Sequence, residues 1–206
     1  MKLKKLLIRI LPKFLSNRIR NYREIRAWGK QGYLDNAPQF VKQNIFLKYS
    51  LPNTQWIETG TYLGTTTEFL VDNFTKVYTI EPETTLYQRA IKKFTGKNVE
   101  LFNDVSESVF PTLLPKISGN CNFWLDGHYS AGITFQGEQN CPLEDELSAI
   151  ELNLSNFDKI AILIDDVRHI YDDAKYPSID FIIDWARKNK FNWRIEQDIL
   201  IMRNFT

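Results

Sequence analysis

The chain is poor in the residues that announce several whole classes of protein. It has two cysteines in 206 residues, Cys121 and Cys141, too few for a disulfide framework and without the paired spacing of a zinc site. A reducing cytosol is the expected setting. No run approaches the roughly 18 unbroken apolar residues of a membrane span. The apolar stretch near the N-terminus is broken by Arg9 and Lys13, and no small-residue cleavage site follows it, so a secretory signal is not expected. Histidine occurs only as His128 and His169, which leaves two candidates for a base that titrates near neutrality. No internal repeat or low-complexity tract is present.

Net charge is also nearly lacking, at +1, but it is unevenly placed. Residues 1–30 hold ten Lys or Arg against the single acid Glu24, or +9, which leaves 16 basic and 24 acidic residues, or −8, in the rest. An acidic body lacks the basic groove that a nucleic-acid methylase would need. In the arm, Leu3, Leu7, Ile10, Leu11, Phe14 and Leu15 recur at helical spacing among Lys and Arg, which predicts a basic amphipathic helix kinked or restarted at Pro12. Such a helix can lie on an anionic membrane surface or on a partner protein, pack on its own domain, or meet a second subunit.

What the chain does have is material for a core: 43% hydrophobic and 14% aromatic residues with 25% charged, on a length that suits one domain plus an appendage. From about Thr54, short apolar or β-branched runs alternate with helical ones. Strands are expected over 55–59, 76–81, 98–103, 122–126 and 161–165. Helices are expected over 65–73, 84–94, 105–114, 142–153 and 178–190, and a closing hairpin over 192–197 and 199–203. That order implies an α/β fold, a doubly wound, mostly parallel, Rossmann-like sheet with an antiparallel last strand and an N-terminal amphipathic helical arm. The arm region is placed at 1–50 and the main domain at 51–206. Polar residues end the strands at Glu58, Glu81, Asn103, Asp104, Asp126, Asp165 and Asp166, and ligands of such sheets sit beyond these ends.

The first strand runs into Glu58-Thr59-Gly60-Thr61-Tyr62-Leu63-Gly64-Thr65. Glycines let the backbone come close to a ligand at a helix N-terminus. The third glycine of a dinucleotide fingerprint is missing, which disfavours a pyrophosphate cofactor. The turn with Thr79-Ile80-Glu81-Pro82 resembles the cofactor region of class I S-adenosylmethionine (SAM) methyltransferases. The resemblance runs from Thr54 to the C-terminus and makes 51–206 a SAM-binding methyltransferase domain. It implies SAM as cofactor, with Glu58, Gly60, Tyr62, Gly64, Thr65 and Asp126 around it, Glu81 on the ribose and Asp104 at the adenine.

Two further strand ends read Leu125-Asp126-Gly127-His128 and Ile164-Asp165-Asp166. Three carboxylates at neighbouring tips repel one another, and a hard cation such as Mg²⁺ (or Mn²⁺) would resolve the conflict. His128 is the favoured base and His169 the weaker candidate. The loop over 131–141, with Gly132 and Gly137, reads either as a mobile flap or as a static connector. The two acidic motifs resemble those of metal-dependent sugar O-methyltransferases of the macrocin and cephalosporin-hydroxylase-like group. That resemblance implies Asp126, Asp165 and Asp166 as metal ligands and His128 with Asp126 as catalytic residues, although the loop over 131–141 departs from that group.

The expected function is therefore metal-assisted O-methylation of a small-molecule or glycan hydroxyl, a surface polysaccharide or glycoside sugar foremost. The expected location is cytoplasmic or peripheral at the inner membrane face, with residues 1–30 as the contact and a homo-oligomer left open. The competing readings are an NAD-dependent oxidoreductase on a Rossmann-like fold and a non-catalytic SAM-fold subunit of a biosynthetic complex.

Overall fold

The computed structural model describes residues 13–127, 141–172 and 176–206. The expected kink at Pro12, the histidine His128 and the loop residues 131–140 lie outside them. Helix α1 (Lys13–Lys30) carries six basic residues and one acid. Of its apolar side chains Trp28 is buried, whereas Tyr22 and Ile25 are exposed. Among the described residues no helix is long and apolar enough to cross a membrane.

After α2 (Gln39–Tyr49) the chain alternates as β1 (Gln55–Thr59), α3 (Thr65–Asn73), β2 (Lys76–Ile80), α4 (Thr84–Lys93), β3 (Val99–Phe102), α5 (Ser106–Leu113), β4 (Gly119–Leu125), α6 (Leu143–Leu152), β5 (Phe157–Ile164), α7 (Val167–Asp172), α8 (Ile179–Lys188), β6 (Asn192–Glu196) and β7 (Ile199–Arg203). The strands form one seven-stranded sheet in the order β3-β2-β1-β4-β5-β7-β6. Strands β1 to β5 pair in parallel, while β7 is antiparallel to both β5 and β6. The closing hairpin turns on Gln197 and Asp198, both at positive φ (55° and 67°), the handedness that two-residue hairpin turns favour. The expected architecture is the observed one. The strands expected to end in Glu81, Asp126 and Asp165 stop one residue short of those acids, although Glu81 N and Asp165 N still donate to Phe102 O and Leu125 O of the neighbouring strands.

Alternation along the strands sends side chains to two apolar layers. Ile57, Phe123, Leu125, Ile162 and Ile164 meet α5, α6 and α8 through Phe110, Leu147, Ile150, Ile182 and Trp185. Trp56, Trp124, Leu163 and Ile201 face the other way, onto Ile45, Phe46 and Tyr49 of α2 and Leu70 of α3. The helix α2 had no counterpart among the expected elements, yet it covers a full share of this face. Phe46 has no solvent exposure, and its ring lies edge-on to Trp124 at 4.7 Å and Trp56 at 5.5 Å. The Asn122 side chain accepts from Leu51 N and donates to Leu51 O, which fixes the link between α2 and β1.

Candidate active site

The sheet order reverses between β1 and β4, the place where open α/β sheets bind ligands. Both tips are sealed to their neighbours by backbone bonds. Gly60 N and Thr61 N donate to Ile80 O, and Asp165 N donates to Leu125 O. Gly60 sits at φ 86°, and a Cβ there would lie 2.4 Å from the backbone oxygen of Asp126. Only glycine lets the β1 turn pass this close to the β4 tip, so one residue brings the expected cofactor turn against the expected acid cluster. Gly64, at φ 69°, caps α3 in the left-handed conformation, with the Phe94 ring where its Cβ would be. Thr65 follows as the first residue of α3 and is exposed.

Glu58, Glu81 and Asp104 differ in setting. Glu58 is fully buried under the turn, where its Oε2 accepts from the hydroxyls of Thr67 (2.6 Å) and Thr79 (2.6 Å). Its Oε1 has no partner. Burial pushes its carboxyl up to about 7, against the pull of those two hydroxyls. It faces the layer between sheet and α3 rather than the open crevice. Glu81 accepts from Tyr62 N at 2.7 Å and Glu83 N at 3.0 Å. Burial still raises its carboxyl above the ordinary value. Tyr62, at φ 49°, is half exposed above it. Asp104 is exposed and accepts from Val105 N at 2.8 Å.

At the β4 and β5 tips, Asp126, Asp165 and Asp166 each present a carboxylate oxygen within 4.8 Å of the others. Asp165 and Asp166 are buried, and Asp166 holds φ 57°, a left-handed residue that turns its side chain back beside its neighbour. Two cations reach this group. Lys42 of α2 bonds Asp165 Oδ2. Arg168 bonds Asp166 Oδ1 at 2.8 Å and also reaches Asp198 of the hairpin turn and Asn36 ahead of α2. Burial works against the Lys42 charge, but Asp165, Asp126 and Asp166 outweigh it and raise its pKa. Asp165 is held well above the usual carboxylate range by burial, then by the Asp126 charge, with Lys42 opposing. Asp165 thus holds its proton tightly, and a further cation at the cluster would displace it.

These residues fit a hard divalent ion. All the donors are oxygens, as Mg²⁺ or Mn²⁺ prefers. Asp165 Oδ1 is buried without a hydrogen-bond partner, an orphan that a ligand would satisfy. Among the described residues the three aspartates face Lys42 and an Arg168 shared with Asp198, an acidic excess that a cation would offset. A small cleft opens beside Asp165, lined also by Gly127, Glu146 and Tyr176. His169 stacks on Tyr176 with ring centres 5.8 Å apart.

Lys42, Arg168, Gln39, Asn36 and Asp198 were not among the expected site residues. Lys42 left a trace in the sequence, because with Phe46 and Tyr49 it follows the i, i+4, i+7 spacing of one helix face. A lysine on a buried face signals a buried acid partner. Arg168 lies two residues beyond Asp166, whereas Gln39, Asn36 and Asp198 act across long separations and left no local pattern.

Solved structures share this architecture. A methyltransferase from Geobacter sulfurreducens matches over 100% of this chain and 96% of its own, at 11% identity and a TM-score of 0.55. The N-methyltransferase NodS from Bradyrhizobium japonicum WM9 matches over 80% and 94%, at 10% identity and a TM-score of 0.54. The 23S rRNA methyltransferase ErmE matches over 82% and 68%, at 17% identity and a TM-score of 0.50. The chain therefore has the Rossmann-like fold of class I methyltransferases. At these identities the likeness is one of fold, and a fold that serves both an N-methyltransferase and an rRNA enzyme does not choose the acceptor. No family model and no curated protein matches the chain.

Proposed function

We propose that the chain is a SAM-dependent, divalent-metal-assisted O-methyltransferase acting on a hydroxyl of a small molecule or glycan. The observation that carries the reading is the approach of Gly60 to Asp126, which sets a cofactor-type turn against three clustered aspartates on a methyltransferase fold. SAM would supply an electrophilic methyl group, and the divalent ion would make a bound hydroxyl more acidic. Gly60, Tyr62, Gly64, Thr65, Glu81 and Asp104 would hold the cofactor, with Glu58 supporting the turn from beneath. Asp126, Asp165 and Asp166 would hold the ion and, through it, orient the acceptor, so that catalysis is mainly alignment. His128 would take the hydroxyl proton as the oxygen bonds the methyl carbon and the sulfonium leaves as a neutral thioether.

The test is a thermal shift with SAM, followed by a methyl-transfer assay on surface-polysaccharide sugars and glycosides. SAM should raise Tm in parent and in Asp126→Asn alike. EDTA should abolish transfer, Mg²⁺ or Mn²⁺ should restore it in the parent, and Asp126→Asn should lose it by at least about a hundredfold. A protein unmoved by SAM and stabilised by NAD sinks the proposal.

A further inference from the structure

We infer that Lys42 is the resident cation of the acid cluster, a positioning residue that holds Asp165 by one oxygen and leaves the other to a ligand. The lysine is brought there by an element outside the alternating strands and helices, 123 residues away from its partner in the chain. Its side chain is 12% exposed and that of Asp165 is 1% exposed, so the pair is shielded from salt and water. The ammonium lies 5.7 Å from the centre of the Trp124 ring, whose other neighbour is Phe46 of the same helix. Gln39 at the front of α2 donates to Thr66 Oγ1 at 2.8 Å. At its back Lys48 and Tyr49 bond Glu196 of β6. The helix is pinned at both ends and wedged in the middle, so Lys42 is presented to the acids at little entropic cost.

Arg168 cannot substitute for it. That guanidinium is divided between Asp166 and Asp198 and adds no surplus charge to the cluster. Among the described residues, Lys42 carries a charge that Asp165, Asp126 and Asp166 all stabilise, and it offsets their mutual repulsion. Two consequences follow in opposite directions. Without a bound ion, Lys42 keeps the three acids together. With one, the ammonium competes for Asp165 and repels the incoming charge, so it weakens binding. This second consequence rests on the metal reading proposed above; the first does not.

The experiment compares the full-length parent with Lys42→Met and Lys42→Arg. Free Mn²⁺ is followed by electron paramagnetic resonance, and Tm is measured in EDTA and in excess Mn²⁺. Lys42→Met should melt lower than the parent in EDTA, recover in Mn²⁺, and bind Mn²⁺ about tenfold or more tightly. Lys42→Arg should lie near the parent in both measurements. If Lys42→Met folds only when Mn²⁺ is present during purification, that outcome also supports the assignment. An unchanged melt in EDTA overturns it. So does weaker Mn²⁺ binding by Lys42→Met, the mark of a residue that only buttresses α2. Absence of Mn²⁺ binding in all three proteins, with Lys42→Met alone melting lower, defeats the metal reading and leaves Lys42 as the counter-ion.

Discussion

The buried carboxylates at the β1 and β2 tips and those at the β5 tip are satisfied in opposite ways. Glu58 and Glu81 accept only from neutral groups, the hydroxyls of Thr67 and Thr79 and the backbone N–H of Tyr62 and Glu83. Asp165 and Asp166 are met by cations, Lys42 and Arg168. Neutral donors leave the charge of a buried acid uncompensated, so burial wins and Glu58 titrates near 7. Burial and the Asp126 charge also hold the Asp165 carboxyl above the usual range, but there Lys42 opposes them with a full charge. One half of the crevice is thus held by shape and backbone, the other by charge, and the halves meet where Gly60 passes Asp126.

The strongest way to break this division is at the junction. Gly60→Ala places a methyl group 2.4 Å from the Asp126 backbone oxygen at φ 86°, with no flexible side chain to move aside. Both halves should fail together, with a loss of more than about 4 kcal/mol in urea unfolding, the exceptional end of the point-mutant range. Gly64→Ala shares the strain of positive φ but meets side chains that can shift, the Phe94 ring at 2.9 Å and Lys93 Cδ at 3.5 Å, and should cost less. Equal losses at the two sites would deny the junction its special role.

Next in size is Phe46→Ala, expected to cost about 3–5 kcal/mol because the ring is fully buried between two tryptophans. At temperatures where this variant is folded, the loosened α2 should disturb the acid half and spare the SAM-induced shift in Tm. Loss of SAM binding with intact Mn²⁺ binding would reverse the division.

The smallest effect is a pH dependence. The folded-state carboxyl of Glu58, at about 7, lies above its ordinary value, so the folded chain holds this proton where the unfolded chain has released it. Its contribution is full below about pH 4.5 and falls as pH rises toward about 7, by about 3 kcal/mol in all. Chemical denaturation across pH 4 to 8 should show a steeper falling limb in the parent than in Glu58→Gln, because Glu81 and Asp165, also raised, contribute equally to both. Equal slopes would mean that Glu58 is ionised in the folded protein.

Much of this was legible beforehand, and the reason is locality. A strand reads from its alternation, and the glycine turn and the acid-tipped strands read from residues a few positions apart. The ranges 55–59, 65–73 and 199–203 match β1, α3 and β7 residue for residue. Helix α2 was missed because it lacks a charged outer face, and its spacing was overshadowed by the basic arm before it. Lys42 was missed because it lies 123 residues from Asp165, and the tie of Arg168 to Asn36 because it spans 132, although Arg168 itself follows Asp166 by two residues. Glu58 was expected in the crevice because its position along the strand was clear, while the side-chain hydroxyls that draw it beneath the turn lie on α3 and β2.

The place of β7 between β5 and β6 has a consequence for how the molecule is made on the ribosome. Part of the surface on which α2 rests comes from Ile199 and Ile201, which leave the ribosome long after α2 itself. Until that strand inserts, the early helix carries Phe46 and Tyr49 without their full shelter, and its lysine waits for an aspartate still to be positioned. Closure of such distant contacts is slow, and the nascent chain depends meanwhile on whatever shields its apolar side from other chains.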